Sequence, residues 1–333
     1  MASRNDVARE AGVSPTSVSY YINQNGYVSE ASAKKIQAAI EKLNYCPNQI
    51  AKSLKTKNNR QFIFLCNEIM NPFFTQLISS AMKKAYQERY TVLFSNVVDD
   101  EAYLQQLCSY QASGIFLPNG RIRRSVLETI CKNQIPIIML TDNMWENLPK
   151  NITQIQPCSQ LVYPDIIRHL IRQGYRSIQF LTTVTDDVSA MQNTKIKALL
   201  EAVNGQLPTQ IVYGISGTRA ARDYMLDRWV PESAPQAILC SNDAIAQGAL
   251  YALSKRNVRV PEDVGIIGHD DTLLSQFSSP EISSVSIDTD LLGETIIDML
   301  IRRANGKAVG DYSAVPVFLP RRSSMRCEDR QMP

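Results

Sequence analysis

The 333-residue sequence predicts an α/β protein with a small helical head followed by a two-lobed body of parallel sheets. The charge is divided in the same way: the first sixty residues hold nine Lys and Arg against four Asp and Glu, whereas the rest holds 26 against 28. Apolar residues recur at helical spacing in the head, and from Gln61 onward short apolar runs alternate with amphipathic stretches. A hydrophobic content of 44% supplies a core for both parts and excludes a disordered chain.

The head begins with two short helices joined by a glycine turn. Asn5 is the predicted cap of the first helix, and Gly12 ends it because glycine tolerates the left-handed conformation. Ser14 caps the second helix through its hydroxyl, and Pro15 follows where no backbone N–H is needed. A third helix supports this pair, which gives a helix-turn-helix arrangement. The predicted helices span residues 6–11, about 15–22 and about 29–43.

The second helix carries a hydroxyl-rich outer face. In helix-turn-helix proteins this helix enters the major groove of DNA, and its N-terminal side chains meet base edges. A three-helix bundle without a nucleic-acid partner is the alternative, but a net charge of +5 over the first sixty residues favours a polyanion as partner. The predicted DNA contacts of this helix are Ser14, Pro15, Thr16, Ser17 and Tyr20.

A short basic segment connects the head to the body. Pro47 breaks the third helix, and between Lys52 and Arg60 there are four basic residues and no acid. A helix of one or two turns is unstable by itself. We therefore expect residues 48–55 to become ordered only against DNA or a second copy of the chain.

The head and this segment contain several short sequence motifs. They are Asp6-Val7-Ala8-Arg9-Glu10-Ala11-Gly12-Val13-Ser14, Val18-Ser19, Ile22-Asn23, Val28-Ser29, Tyr45, Pro47-Asn48 and Ala51-Lys52-Ser53-Leu54. Together they resemble the head and hinge of the lactose/galactose repressor (LacI/GalR) family. The resemblance implies a hinge helix on the operator, with Leu54 prying open a base step in the minor groove. The implied hinge contacts are Asn48, Ala51, Leu54 and Lys55.

The head departs from the family at one reading position. The family usually has arginine directly after the Val-Ser pair, where this chain has Tyr20. Tyrosine offers a single hydroxyl and a ring in place of the two-pronged guanidinium that reads guanine. An operator different from the common family sequence is therefore expected.

Nine apolar runs in the body predict β-strands, with helical stretches between most of them. This alternation predicts parallel sheets covered by helices on both faces. Nine strands are many for one sheet, so we expect two lobes of similar size with a ligand cleft between them. The predicted strands are 62–66, 91–96, 114–117, 136–140, 177–182, 209–213, 236–240, 264–268 and 284–287, and the predicted helices include 74–89, 160–173, 242–256 and 290–303.

The expected domains follow from these assignments. They are a DNA-binding head (1–46), a hinge (47–60) and a core (61–333) for effector binding and dimerisation, in which the N-lobe takes about 61–157 and 286–312 and the C-lobe about 158–285 and 313–333.

Further motifs in the body carry the family resemblance to about residue 320. They are Asn71-Pro72-Phe73-Phe74, Ser241-Asn242-Asp243, Gly248-Ala249-Leu250, Val260-Pro261-Glu262-Asp263 and Ile266-Ile267-Gly268-His269-Asp270-Asp271. They resemble the family's effector-binding core, which is similar to periplasmic sugar-binding proteins. Core packing for Phe73 and helix capping for Asp243 remain alternatives. The implied effector contacts are Asn71, Phe73, Phe74, Gln192, Asn242, Asp243, His269 and Asp270.

Three ligand anchors common in the family have changed. Cys158-Ser159 stands where an Asp-Asn pair is frequent, Gln192 where arginine is frequent, and Ser216 where an aromatic residue is frequent. These changes remove a charge, a bidentate donor and a stacking face. A less polar ligand, weak binding, or control by a protein partner are the alternatives to a sugar bound in the ordinary family manner.

Enzymatic function is not expected. The chain has only two histidines, and its seven cysteines are widely spaced without a CxxC pair, so we predict no catalytic residue, no metal site and no cofactor. No apolar run approaches the roughly 20 residues of a membrane span. Because Asp6 also interrupts the region where a signal peptide is apolar, a cytoplasmic protein without membrane contact is expected.

The sequence therefore predicts a DNA-binding transcriptional regulator, most simply a repressor. One short reading helix covers a half-site, so a homodimer on a pseudo-palindromic operator is expected. A sugar, nucleoside or related metabolite in the cleft is the expected effector. A metabolite sensor whose DNA role is lost and a regulator controlled by a protein remain alternatives, and the choice between dimer and tetramer stays open.

Overall fold

The computed structural model describes residues 2–46, 59–66, 69–96, 100–118, 123–143, 145 and 147–326. The chain forms two compact units, Met1–Asn59 and Arg60–Pro333. Within the described ranges, no helix combines the length and apolarity that a bilayer span requires. The predicted hinge contacts lie outside the described residues: Asn48, Ala51, Leu54 and Lys55.

The head contains three helices around a small core in which Val18 and Ile36 are fully buried. The hydroxyl of Ser14 accepts a hydrogen bond from the Ser17 amide at 3.1 Å, which confirms it as a helix cap. The predicted cap Asn5 is wrong. Ser3 caps the first helix instead, because Ser3 and Asp6 satisfy each other's backbone donors in a capping box. The helices are α1 (Arg4–Ala11), α2 (Pro15–Asn23) and α3 (Glu30–Lys42).

The N-lobe of the second unit is built on six parallel strands in the order β11-β5-β4-β3-β1-β2. Side chains alternate across this sheet: Phe62 and Phe64 pack on one face, and Ile63 and Leu65 on the other. Both faces are buried, as the continuous apolar runs predict. The elements are β1 (Gln61–Leu65), α4 (Pro72–Gln87), β2 (Thr91–Ser95), α5 (Glu101–Ser109), β3 (Gly114–Leu117), α6 (Arg124–Cys131), β4 (Ile137–Leu140), β5 (Ile152–Pro157), α13 (Thr289–Ala304) and β11 (Tyr312–Ala314).

The C-lobe has a parallel four-stranded sheet in the order β7-β6-β8-β9 and an antiparallel pair, β10 with β12. Its sheet is also covered on both faces by apolar clusters. The elements are α7 (Ser159–Arg172), β6 (Ile178–Leu181), α8 (Asp187–Ala190), α9 (Thr194–Val203), β7 (Thr209–Val212), α10 (Thr218–Arg228), β8 (Ala237–Cys240), α11 (Asp243–Lys255), β9 (Gly265–Ile267), α12 (Leu273–Gln276), β10 (Ser284–Ser286) and β12 (Val317–Leu319).

The chain crosses between the lobes three times: after β5, after β10 and after β11. All nine predicted strands form, within two residues at either end, and the two-lobed division is confirmed. Three strands were not predicted. In β5, Thr153 and Gln154 are buried despite their polarity, and β11 and β12 have only three residues each, so no apolar run marks them.

Candidate functional sites

The N-terminal ends of α1 and α2 form a shallow groove on the head. Its lining residues are Ser3, Arg4, Asn5, Pro15, Thr16, Ser19 and Tyr20. Because Ser14 caps α2 and Pro15 begins it, the first turn of this helix faces outward with no backbone donor lost. The groove therefore joins predicted reading residues to a basic side chain, that of Arg4.

The hydroxyl groups on this face fall into two kinds. The Ser17 and Ser14 hydroxyls lie 2.9 Å apart and belong to the helix cap, and the Ser19 hydroxyl accepts from Asn23. The Thr16 and Tyr20 hydroxyls have no hydrogen-bond partner in the described part of the chain. Both side chains are exposed, Tyr20 by 41%. They are the hydroxyls that remain available to an external partner.

The second site is a cavity between the two lobes of the body. Its walls come from the segments that follow β3, β4, β6, β8 and β9, so it lies at the carboxyl ends of parallel strands. Six predicted effector contacts line it: Asn71, Phe73, Phe74, Asn242, His269 and Asp270. The rings of Phe73 and Phe74 meet edge to face with centroids 5.2 Å apart.

The two asparagines in the cavity wall also cap helices. The Asn71 side-chain oxygen accepts from the Phe73 amide at 3.1 Å, and that of Asn242 accepts from the Ile245 amide at 2.9 Å. Their side-chain oxygens are fixed by these bonds. Each side-chain NH₂ group is then held in a set orientation at the wall.

His269 and Asp270 form a buried pair at the end of β9. The His269 Nδ1 lies 2.9 Å from the Asp270 Oδ1, whereas the His269 Nε2 is buried with no hydrogen-bond partner among the described residues. Burial holds the pKa of His269 well below its usual range, assisted by the charge of Lys195. Burial likewise raises the pKa of Asp270 to about 7. The ring is therefore neutral at pH 7, and it lines the cavity with one buried nitrogen atom unsatisfied among the described residues.

A backbone turn places this pair. Asp270 and Asp271 both have positive φ, +100° and +50°, which is costly for residues with a side chain. The Asp270 amide donates to the Val285 carbonyl at 2.7 Å, and the Asp271 carboxylate forms an ion pair with Arg321 at 2.6 Å. These contacts hold the turn in its strained conformation, as is common at binding sites.

Lys195 was missed in the sequence analysis. It begins the first turn of α9 in the C-lobe, lines the cavity, and lies 3.2 Å from the Asp142 carboxylate of the N-lobe. The second oxygen of Asp142, Oδ1, is buried with no hydrogen-bond partner in the described chain. Asp142 follows β4 in a mixed polar stretch, so only its place at the carboxyl end of a predicted strand could have indicated it.

Backbone contacts join the lobes at the same place. The Thr194 amide and hydroxyl both donate to the Asp142 carbonyl, at 2.7 Å and 2.9 Å. Asn143 and Asn193 form an antiparallel bridge beside them. We call this group, Asp142–Asn143 with Asn193–Lys195, the interlobe clasp. It holds the described lobes together across the cavity.

Two predicted effector contacts lie outside the cavity wall. Gln192 is exposed in the turn before α9, because the chain turns inward only at Asn193. Asp243 is buried under β9, where it accepts hydrogen bonds from the Thr272 amide, the Thr272 hydroxyl and the Ser284 hydroxyl. The helix-capping alternative for Asp243 is wrong, since Asn242 caps the helix.

The other changed anchors are also absent from the cavity wall. Cys158 occupies the N-cap position of α7, and Ser216 is exposed in the loop before α10. Neither residue lines the cavity. Among the described residues, Lys195 contributes a basic side chain to the cavity wall. It lies three residues after Gln192, the position where the family frequently has arginine.

Residues 5–48 match the bacterial regulatory proteins of the lacI family, and residues 167–324 match the periplasmic binding protein-like domain. The HTH-type transcriptional repressor PurR of Photobacterium profundum is 30% identical over 320 residues, which cover 92% of this chain and 93% of that protein. The chain belongs to the LacI family. The Ribose operon repressor of Escherichia coli is also 30% identical, over 91% of this chain and 93% of the repressor.

Known structures agree at the level of the fold. The lac repressor dimer bound to operator and the anti-inducer ONPF superposes with a TM-score of 0.83 at 23% identity, covering 98% of this chain and 99% of that one. This LacI-family protein is therefore a DNA-binding transcriptional regulator and not an enzyme. Among the residues the structure describes, no group of three or more His, Cys, Asp or Glu side chains is arranged to hold a metal ion.

Proposed function

We propose that this regulator is a repressor that binds a pseudo-palindromic operator as a homodimer. The observation that carries the proposal is the exposed N-terminal half of α2, whose Thr16 and Tyr20 hydroxyls have no partner among the described residues. A helix presented this way fits the major groove, and its end residues meet base edges. The relatives named above, PurR and the Ribose operon repressor, are called repressors.

A second copy of the chain is the partner that we propose for an apolar surface on the C-lobe. Tyr251 on α11 is half-exposed, and Leu273 and Phe277 at the neighbouring α12 are exposed by 56% and 83%. Large apolar groups in such numbers are typical of a protein interface. Two-fold pairing also gives the second half-site that one short helix cannot cover. The lac repressor structure of similar fold is described as a dimer.

We propose that the cavity binds an uncharged ring compound rich in hydrogen-bond donors, such as a sugar, nucleoside or nucleobase. The only described cation in its wall, Lys195, is balanced by Asp142, so little net charge is offered to a ligand. Two buried polar atoms of residues in its wall lack a partner in the described chain, the His269 Nε2 and the Asp142 Oδ1. A ligand that hydrogen-bonds to both removes their desolvation penalty, and Phe73 and Phe74 offer faces for its ring.

The interlobe clasp gives this binding a route to the operator. A ligand that enters beside Lys195 and Asp142 touches the residues that join the lobes, so it binds one lobe arrangement better than another. Its differential affinity for the two arrangements sets the upper limit of the change in operator affinity, and the operator in turn changes the affinity for the ligand by the same factor as the ligand changes that for the operator.

Selection from random duplexes tests the DNA part of the proposal. The full-length protein at low ionic strength is expected to enrich a pseudo-palindrome, and Thr16→Ala and Tyr20→Ala are expected to change the preferred base pairs. Sedimentation of the unliganded protein is expected to give a dimer, and Phe277→Asp to dissociate it and weaken operator binding. Enrichment of no sequence, or of a single unrepeated half-site by a monomer, would contradict the proposal.

A thermal-shift screen of ribose, nucleosides and nucleobases tests the cavity. Lys195→Met is expected to lower the affinity for the compound found by at least about tenfold, because the cavity wall loses its ammonium group and the partly buried Asp142 carboxylate loses its ionic partner. Lys197→Met is the matched control, since Lys197 is exposed on the same helix and does not line the cavity. Equal effects of both variants would show that Lys195 is not a ligand contact.

A further inference from the structure

The ring of Tyr20 rests on a glycine of the loop that follows α2. A methyl group on Gly26 would lie only 2.5 Å from the Tyr20 Cγ, 2.6 Å from its Cδ2 and 2.8 Å from its Cδ1. Such separations are far inside van der Waals contact. The first carbons of the ring therefore pack directly on the Gly26 backbone, and any larger residue at this position must displace the ring.

Backbone conformation does not account for this glycine. The positive-φ glycines of the described chain include Gly12 but not Gly26. Alanine can therefore adopt the backbone of Gly26. The three atoms nearest to the added carbon would all belong to the Tyr20 ring. The space that the missing side chain leaves is filled by one particular ring.

The same ring forms part of the groove wall at the end of α2, together with Arg4 and Thr16. Its hydroxyl has no hydrogen-bond partner among the described residues. The ring thus packs on the loop, while its hydroxyl makes no hydrogen bond with the described residues. A tyrosine that contacts DNA through its single hydroxyl specifies a base only if its ring is held in place. A freely rotating ring would reach acceptor atoms on several bases.

We propose that Gly26 is a specificity-determining positioning residue, which seats the Tyr20 ring so that its hydroxyl meets one base position of the operator. The inference rests on the proposed role of Tyr20 in reading DNA. Gly26 itself touches no base in this arrangement. It acts through Tyr20, so its effect on DNA recognition must vanish when the ring is removed.

A double-mutant cycle on the full-length protein tests this dependence. Operator affinity is measured by fluorescence anisotropy for the wild type, G26A, Y20A and the double variant Y20A/G26A. We expect G26A to weaken binding about tenfold and to relax preference at the same base pairs as Y20A. In the Y20A background, adding G26A should change affinity less than about twofold, because the ring that collides with the new methyl group is absent.

Two controls separate positioning from folding of the loop. Asn25→Ala changes the exposed neighbour of Gly26 and is expected to leave affinity unchanged. Circular dichroism is expected to show the same helix content in G26A and the wild type. A loss of affinity from G26A that is equal in both backgrounds would mean that Gly26 supports the loop alone, and would overturn the inference.

The remaining outcomes are also distinguishable. If G26A bound the operator with normal affinity and selectivity while Y20A bound it weakly, Gly26 would have no role in recognition. Tyr20 would still be a DNA contact. An unimpaired Y20A would remove the proposed Tyr20 contact, and the inference with it, while operator selection by the wild type would still establish the regulator.

Discussion

The head and the cavity present their unsatisfied polar groups in opposite ways. In the head, the exposed hydroxyls of Thr16 and Tyr20 lie one turn apart on one short helix. In the cavity, His269 and Asp142 are contributed by different lobes and present buried atoms. An exposed helix face can be met only by another large surface, whereas buried unsatisfied atoms require a molecule small enough to enter. The two regions therefore suit DNA and a metabolite respectively.

The hydrophobic cores differ just as strongly. The described part of the head has six buried apolar residues in one cluster, whereas the body has four larger clusters on the faces of two sheets. Small domains bury a smaller fraction of their surface and are only marginally stable. The same core substitution should thus have very different consequences in the two units.

The largest effect is expected from Ile36→Ala in the head. Ile36 is fully buried, so truncation should cost about 2–5 kcal/mol, comparable to the whole stability of a domain of this size. The head should unfold in most molecules, and operator affinity measured by anisotropy should fall more than about tenfold. Ligand-induced stabilisation of the body should remain.

Ile266→Ala in β9 is the matched control. Ile266 is equally buried, and its truncation carries a similar cost, but the larger body should remain folded at 25 °C. Operator binding by this variant should be near normal. If Ile36→Ala also abolished ligand binding by the body, the two units would not be independent in stability.

An intermediate effect is expected from pH, with opposite signs in the two units. Burial, with the nearby charge of Asp270, raises the pKa of Asp243 to about 7. Its contribution to body stability is therefore fully present below about pH 4 and is lost as pH rises to about 7. The stabilisation contributed by Asp243, measured as the difference in urea midpoint between the wild type and Asp243→Asn, should accordingly be smaller at pH 7 than at pH 5.

The head should respond in the other direction. Hydrogen bonds from the Ser3 side chain and backbone lower the pKa of Asp6. Stability from this group is present above the ordinary carboxyl pKa of about 4 and is lost as pH falls below it. Helix content of the head followed during acid titration should thus decrease only below about pH 4. A steeper loss between pH 7 and 5 would contradict this assignment.

The smallest effect is expected from the ion pair between Lys42 and Glu10, which joins α3 to α1. Its atoms lie 2.6 Å apart, but the Lys42 side chain is 68% exposed and that of Glu10 is 36% exposed. Exposed pairs of this kind contribute about 1 kcal/mol at most. Glu10→Gln should therefore change the urea midpoint of the head little. The change should be smaller still in 0.5 M salt, because the Debye length is then roughly 5 Å and the charges are screened.

Prediction from sequence succeeded where a local pattern decides the structure. The cap at Ser14 and the strand runs such as 114–117 and 237–240 depend on neighbours a few residues apart. It failed for β5, whose buried Thr153 and Gln154 are covered by elements distant in sequence. It failed also for Asp243, since only the packing of β9 against α11 reveals that its partners are Thr272 and Ser284.

The amino-acid order alone determined the helical head, the two parallel sheets and the outward hydroxyl face of α2, because helix and strand periods and caps are local properties. Tertiary structure alone decided which polar groups meet between the lobes. Lys195 faces Asp142, and His269 keeps one nitrogen unsatisfied, because strand ends far apart in the chain converge at one edge of each sheet. The packing of the Tyr20 ring on Gly26 is likewise a tertiary contact, and no periodicity of the sequence predicts it.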